Sequence, residues 1–269
     1  MIAGDHGQRP RGALIDVDGV LLLGDVAIPG AVRALGDLRA RGVPFRLLTN
    51  TTVRSRGSLG AQLRRRGFDA ADAEVITAGA ATAAFVRRRF PGVPCYLLAS
   101  ADVRVDFDGV PLVEDASARV VVVGDAGERF DYHSMNHAFR LLAAGAALVA
   151  MQRNRYWLTR EGPTLDAGAW VRALEYAAER RATVVGKPAA PFFRAGFRSL
   201  GCRPGEVVMV GDDVRQDVLP AMRLGARGVL VRTGKYREED LRHGRPDVVL
   251  DSVVGLPDLF PEVGPRQSV

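Results

Sequence analysis

The 269 residues, 47% of them hydrophobic and 25% charged, have ordinary globular proportions and suffice for one large domain or two modest ones with ample core. No apolar run approaches the roughly 20 residues of a membrane span, Met1 to Gly12 has no signal-peptide core, and the two cysteines, Cys95 and Cys202, show no metal-ligand spacing; the expectation is a cytoplasmic protein without a disulfide framework. The net charge of +6 is carried by arginines scattered over helical segments such as Arg64-Arg65-Arg66 and Arg87-Arg88-Arg89, with no interleaved aromatics of a strand-binding platform, so solvated helix faces are expected, with neither nucleic acid nor membrane as partner.

Taken in order, the chain opens on Ala13-Leu14-Ile15-Asp16-Val17-Asp18-Gly19-Val20. A short apolar run ends in two carboxylates at i and i+2, which on a strand share one face. In open α/β sheets the carboxyl end of a strand is where ligands sit. Two carboxylates this close repel one another unless a cation or a proton lies between them. Pro29 to Arg41 then reads as a helix, with proline at its start and Gly42 just past its end. Pro44 to Leu48 is a strand ending in Thr49-Asn50, and Arg56 to Arg66 a helix closed by Gly67. This βαβα order implies a parallel sheet.

From about Ala78 a second α/β region begins. Ala80–Arg89, Phe130–Ala144 and Ala167–Arg180 read as helices, and Cys95–Ala99, Arg119–Val123 and Ala147–Met151 as strands. The first domain resumes at Thr183-Val184-Val185, which leads into Gly186-Lys187-Pro188. A helix over Phe192–Leu200, a strand over Glu206–Val210 ending in Gly211-Asp212-Asp213, a helix over Val214–Leu224 and a strand over Gly228–Arg232 follow; the tail after Pro261 reads as frayed. The expected fold is α/β: a Rossmann-like parallel-sheet core formed by residues 1–78 and 183–269, interrupted by an α/β cap over residues 79–182.

Four strand ends carry suggestive groups: Asp16 with Asp18, Thr49 with Asn50, Lys187, and Asp212 with Asp213 and, one helical turn on, Asp217. A parallel sheet would gather them along one edge. Carboxylates with an ammonium and a hydroxyl suit a divalent cation plus a phosphate, because magnesium takes oxygen ligands from carboxylates, water and phosphate. Lys187 and Lys235 are the only lysines, which adds weight to Lys187 as a compact point charge placed for a purpose.

The order Asp-x-Asp-Gly-Val, Leu-Leu-Thr-Asn, Gly-Lys-Pro, Gly-Asp-Asp-x-x-x-Asp resembles the four motifs of the haloacid dehalogenase (HAD) superfamily over nearly the whole chain. The insertion between Thr49 and Lys187, with Thr-Gly-Lys-Tyr at 233–236, is similar to the NagD-like class with a large α/β cap, closest to the phospholysine/phosphohistidine/pyrophosphate phosphatase group. The resemblance implies Asp16 as nucleophile forming an aspartyl-phosphate, and Asp18 as general acid, then base. It implies Mg²⁺ held by Asp16, the Asp18 carbonyl and Asp212, supported by Asp213 or Asp217, and phosphate held by Thr49, Asn50 and Lys187. The implied substrate is a small phosphorylated metabolite, phosphoamide or pyrophosphate, and the implied assembly a homodimer through the cap.

Other readings weigh less. An EF-hand counted from Asp16 wants glycine where Leu21 stands and glutamate where Ala27 stands. A receiver-type phosphoacceptor is a compact single domain, and a dehalogenase on the same fold needs no metal-binding acid pair. Asp106-Phe107-Asp108-Gly109 and Gly124-Asp125 imitate the motifs and read as surface turns. His133 and His137, at i and i+4, lack a third ligand, and Lys235 reads as an exposed loop residue. Substrate contacts are expected in the loop-rich stretch Arg153–Gly168, with Tyr156, Trp157 and Asp166.

Overall fold

A computed structural model describes residues 9–159 and 162–260; most of the polar start and the tail after Pro261 lie outside the described residues. The chain runs through β1 (Gly12–Asp16), the short antiparallel pair β2 (Leu22–Leu23) and β3 (Val26–Ala27), α1 (Ala31–Ala40), β4 (Phe45–Thr49), α2 (Arg56–Arg65), β5 (Val75–Thr77) and α3 (Ala78–Arg89). It continues through β6 (Cys95–Leu98), β7 (Val120–Val123), α4 (Tyr132–Ala143), β8 (Ala147–Ala150), the antiparallel strands β9 (Tyr156–Thr159) and β10 (Gly162–Leu165), α5 (Ala167–Ala177) and β11 (Thr183–Val184). It ends with α6 (Ala190–Leu200), β12 (Val207–Gly211), α7 (Leu219–Met222), β13 (Arg227–Val231) and β14 (Val248–Leu250).

The chain divides into two compact units, one of Met1–Thr49, Gly60–Ile76 and Phe193–Val269, the other of Asn50–Leu59 and Thr77–Phe192. The six-stranded sheet has the order β14-β13-β12-β1-β4-β5. β1 lies between β12 and β4, parallel to both. The sequence advances outward from β1 through β4 to β5, then returns on the other side through β12, β13 and β14, so the order reverses at β1. Loops leaving β1 and β12 part at such a reversal and open a crevice. Every residue of β1 and β12 is buried. That is why both read as nearly unbroken apolar runs, as parallel strands covered on both faces do.

The second unit holds a four-stranded sheet in the order β11-β8-β7-β6, parallel throughout. Its core packs Tyr96, Val121, Leu141, Leu142, Val171 and Leu174, drawn from strands and from α4 and α5. Thr183–Val184, read from sequence as the return to the first domain, pairs with β8 in this sheet.

Three local departures from the sequence reading have physical causes. The first helix starts at Ala31, because Gly30 sits at φ 79 in the left-handed region and ends any helical run through Pro29. The helix expected over Val214–Leu224 is a π-turn at Val214–Val218 followed by four residues of α-helix. Asp213 caps its start, and Pro220 has no N–H to donate. The stretch Arg153–Gly168 is not simply loop: β9 and β10 form a hairpin within it, hidden in the sequence by Gly162 and Pro163, which both disfavour strand.

Candidate active site

Asp16 closes β1, and its register partner on β4 is Leu48, one residue before Thr49. On the other side Ile15 pairs with Val210, so Asp212 follows one residue after the end of β12. The sheet alone therefore brings these strand ends together. Asp16, Asp212 and Asp217 are 5%, 2% and 1% exposed, and each offers a carboxylate oxygen within 4.8 Å of the other two. Among the described residues they are the one such group of potential metal ligands.

Each member is fixed by its local backbone. Val17 N–H donates to Asp16 Oδ1 at 2.8 Å, and Lys235 N–H donates to Asp212 Oδ2 at 2.7 Å. Asp217 rides on the π-turn, with its own N–H on the Asp213 carbonyl. Asp213 turns its carboxylate to the N–H groups of Arg215 and Gln216, at 2.8 and 3.0 Å. Of the two acids offered by sequence as metal support, Asp217 joins the cluster, and Asp213 is a turn cap.

Asp18, two residues beyond Asp16, is exposed and is not in the acidic group. Its Oδ2 accepts from Thr49 Oγ1 at 3.0 Å. The pair that looks symmetrical in sequence is thus split: one carboxylate is buried among acids and the other is exposed and hydrogen-bonded to a hydroxyl.

Sequence reasoning gave no structural role to the loop after β13. Thr233 Oγ1 donates to the Gly19 carbonyl at 2.5 Å, and Gly19 and Gly234, at φ 83 and φ 63, face one another across the Asp212 carboxylate. A Cβ on either would overlap Asp212 Oδ2. Lys235 is exposed, as expected, and serves the site through its backbone. The Thr-Gly-Lys-Tyr run was a visible signal, but its use is not readable before β13 is placed beside β12. Gly234→Ala is expected to lower the thermal midpoint by several degrees. Gly24→Ala, left-handed at φ 60 but with open space around its Cβ, carries only the backbone cost of about 1–2 kcal/mol. The difference between their melting curves measures the overlap at Asp212, and equal losses would count against it.

In the second unit, Asn50 and Lys187 are joined by two hydrogen bonds. Asn50 Nδ2 donates to the Lys187 carbonyl at 2.9 Å, and Lys187 N–H donates to Asn50 Oδ1 at 2.8 Å. Asn50, expected to contact phosphate, has both ends of its amide engaged by this backbone, which makes it a holder of Lys187. Lys187 is 5% exposed, and its bond to Pro188 is cis.

The imitation motifs are structural. Asp106, which burial pushes upward in pKa, accepts from Arg56 N–H at 3.1 Å at the start of α2. Asp125 caps Gly127 N–H. His137 packs edge-on against Tyr96, ring centroids 4.7 Å apart. In the hairpin region Tyr156 is exposed; Asp166 is buried and accepts from Gln152 Nε2 and Ala167 N–H, at 2.5 and 2.6 Å; the Trp157 side chain lies outside the described residues.

A divalent cation fits the first unit's acidic group by donor chemistry. Three buried carboxylates crowded together are all hard oxygen ligands, and their mutual repulsion is relieved by a cation. Asp16, Asp212 and Asp217 would hold it.

Comparison with known proteins agrees in extent and in kind. A family profile described as haloacid dehalogenase-like hydrolase matches residues 13–131, and one described as HAD-hydrolase-like matches residues 184–256. The human haloacid dehalogenase-like hydrolase domain-containing protein 2 is 42% identical over 230 residues, 86% of this chain and 87% of that one. The human phospholysine phosphohistidine inorganic pyrophosphate phosphatase is 38% identical over 250 residues, 91% and 90% of the two chains. Among solved structures, the p-nitrophenyl phosphatase from Archaeoglobus fulgidus superposes with TM-score 0.88 at 27% identity, covering 94% of this chain and all of that one. NagD from E. coli K-12 gives TM-score 0.85 at 26% identity, covering 92% and 98%.

Proposed function

This chain belongs to the haloacid dehalogenase-like hydrolases and is a phosphohydrolase among them; on that premise we propose that it is a Mg²⁺-dependent phosphatase of small phosphorylated metabolites, phosphoamides or pyrophosphate, acting through an aspartyl-phosphate. The observation that carries this reading is the buried group Asp16, Asp212 and Asp217, with exposed Asp18 hydrogen-bonded to Thr49 two residues beyond Asp16.

Asp16, Asp212 and Asp217, with the backbone carbonyl of Asp18, would hold the cation, which would supply positive charge to neutralise phosphate oxygen. One Asp16 oxygen, at the end of a rigid buried strand, attacks phosphorus in line with the leaving oxygen. Asp18 Oδ1 or Oδ2 delivers a proton to that oxygen as the bond to phosphorus breaks. In the second half it takes a proton from the water that attacks the aspartyl-phosphate, releasing orthophosphate and restoring Asp16. The hydrogen bond from Thr49 Oγ1 to Asp18 Oδ2, at 3.0 Å, orients the Asp18 carboxyl for both proton transfers. Lys187 supplies a fixed positive charge to the phosphoryl oxygens, and Asn50 keeps its backbone in place. The relatives named for phospholysine, phosphohistidine and pyrophosphate support substrates with P–N or P–O–P bonds. A reducing cytoplasmic setting suits the free thiols Cys95 and Cys202, and a homodimer through the second unit is the assembly we expect.

The test is release of orthophosphate from p-nitrophenyl phosphate, imidodiphosphate and pyrophosphate, with Mg²⁺ and with chelator. Turnover that needs Mg²⁺ is expected. Turnover unchanged in chelator overturns the metal's part, and no turnover on any of the three overturns the phosphatase reading.

A further inference from the structure

After Thr49 the chain leaves the first unit's sheet, and residues 50–59 are part of the second unit. The four parallel strands of that unit offer their carboxyl ends along one edge, and three of the four hold this segment. Three residues past β11, the Lys187 backbone takes Asn50 through two hydrogen bonds. Two residues past β7, Asp125 N–H donates to Thr52 Oγ1 at 3.0 Å. Past β6, Ser100 Oγ donates to the Val53 carbonyl at 3.0 Å.

Asp102, two residues after Ser100, makes the densest contact. Its Oδ2 accepts from Ser55 N–H at 2.9 Å, and its Oδ1 accepts from the hydroxyls of Ser55 and Ser58 at 3.1 and 2.9 Å. Ser55 is buried, and its hydroxyl in turn accepts from Ser58 N–H at 3.2 Å. A surface aspartate needs no such set of donors, and one carboxylate satisfying three of them on a single turn fixes that turn's position. Burial pushes the Asp102 carboxyl upward in pKa, but the hydrogen bonds from Ser55 and Ser58 outweigh it and hold the group below its usual range.

We propose that Asp102 is a positioning residue for phosphate binding: by gripping Ser55 and Ser58 it sets the path of residues 50–55, and through Asn50 it sets Lys187. The inference rests on the phosphatase reading above. It differs from anything legible in the motifs, since Asp102 is in none of them and stands outside the acidic group.

The experiment compares wild type, Asp102→Ala and Asp102→Asn as full-length protein, with p-nitrophenyl phosphate at saturating Mg²⁺ and orthophosphate as product inhibitor. In Asp102→Ala, KM and the orthophosphate inhibition constant are expected to rise together about tenfold, with kcat within about threefold and the Mg²⁺ half-saturation unchanged, because the lost interaction is shared by ground and transition states. Asp102→Asn keeps an acceptor oxygen and is expected to recover most of the loss. A merely structural residue would lower the folded fraction, and kcat would fall with both constants fixed; that result overturns the proposal, as does an Asp102→Ala enzyme identical to wild type. If Asp102→Ala does not fold, Ser58→Ala, which removes one donor of the three, is expected to raise both constants two- to threefold, and no change overturns the proposal. A wild type without turnover overturns the phosphatase reading and this inference with it; an active wild type whose Asp102 and Ser58 variants leave both constants unmoved overturns this inference alone.

Discussion

Asp16→Asn will abolish turnover while leaving the protein folded and, without metal, more heat-stable. The side chain is isosteric, and the acceptor oxygen for Val17 N–H can be retained, so β1 keeps its end. On the proposed mechanism the carboxylate lost is the nucleophile, and loss of a nucleophile typically costs 10³-fold or more in kcat. What is also lost is one of three buried carboxylates that each offer an oxygen within 4.8 Å of the other two, a group whose ionised forms repel one another in the absence of a cation. Removing a repulsive buried charge stabilises the metal-free protein. The two effects have opposite sign, which separates a chemical loss from a folding loss. Steady-state phosphatase assays and calorimetry in chelator check both. Activity within tenfold of wild type would reassign the nucleophile; a lowered midpoint in chelator would mean the three carboxylates are not charged together.

Asp217→Asn is expected to weaken the proposed metal site while leaving the proposed nucleophile, Asp16, in place. Loss of one carboxylate near a bound cation costs about 10–100-fold in affinity. A cation bound to the folded state at about a hundredfold over its dissociation constant stabilises by about 2.7 kcal/mol, which for a protein of this size is roughly 5–10 °C in the midpoint. Wild type is therefore expected to show a Mg²⁺-dependent rise of that order, and Asp217→Asn a much smaller one at the same concentration. Asp213→Ala is the comparison. It removes the cap on Arg215 and Gln216, costs about 1 kcal/mol, and leaves the Mg²⁺ dependence of the midpoint near that of wild type. If Asp213→Ala abolished the Mg²⁺ shift and Asp217→Asn did not, the assignment of the two acids would be reversed.

Burial accounts for how much of this was readable. Strands covered on both faces must be apolar throughout, so β1, β7 and β12 announce themselves, and polar residues at their ends stand out against the run. The hairpin of β9 and β10 has no such signature, because β10 carries no buried residue and includes Gly162 and Pro163.

By itself the sequence determined that this is an α/β protein with acids, a hydroxyl and a lysine at strand ends, in an order shared with one hydrolase family. It did so because covalent spacing and hydrophobic periodicity are local properties of the chain. Tertiary structure alone decided that Asp217 and not Asp213 stands with Asp16 and Asp212, and that Asp18 turns to Thr49. It also decided that Asn50 serves the Lys187 backbone and that residues 50–59 answer to Asp102. Each of those depends on which backbone donor or carboxylate, tens to more than a hundred residues away or on the far side of a turn, arrives within hydrogen-bond reach. No spacing rule states that, because strand order and the path of the connecting turns set it.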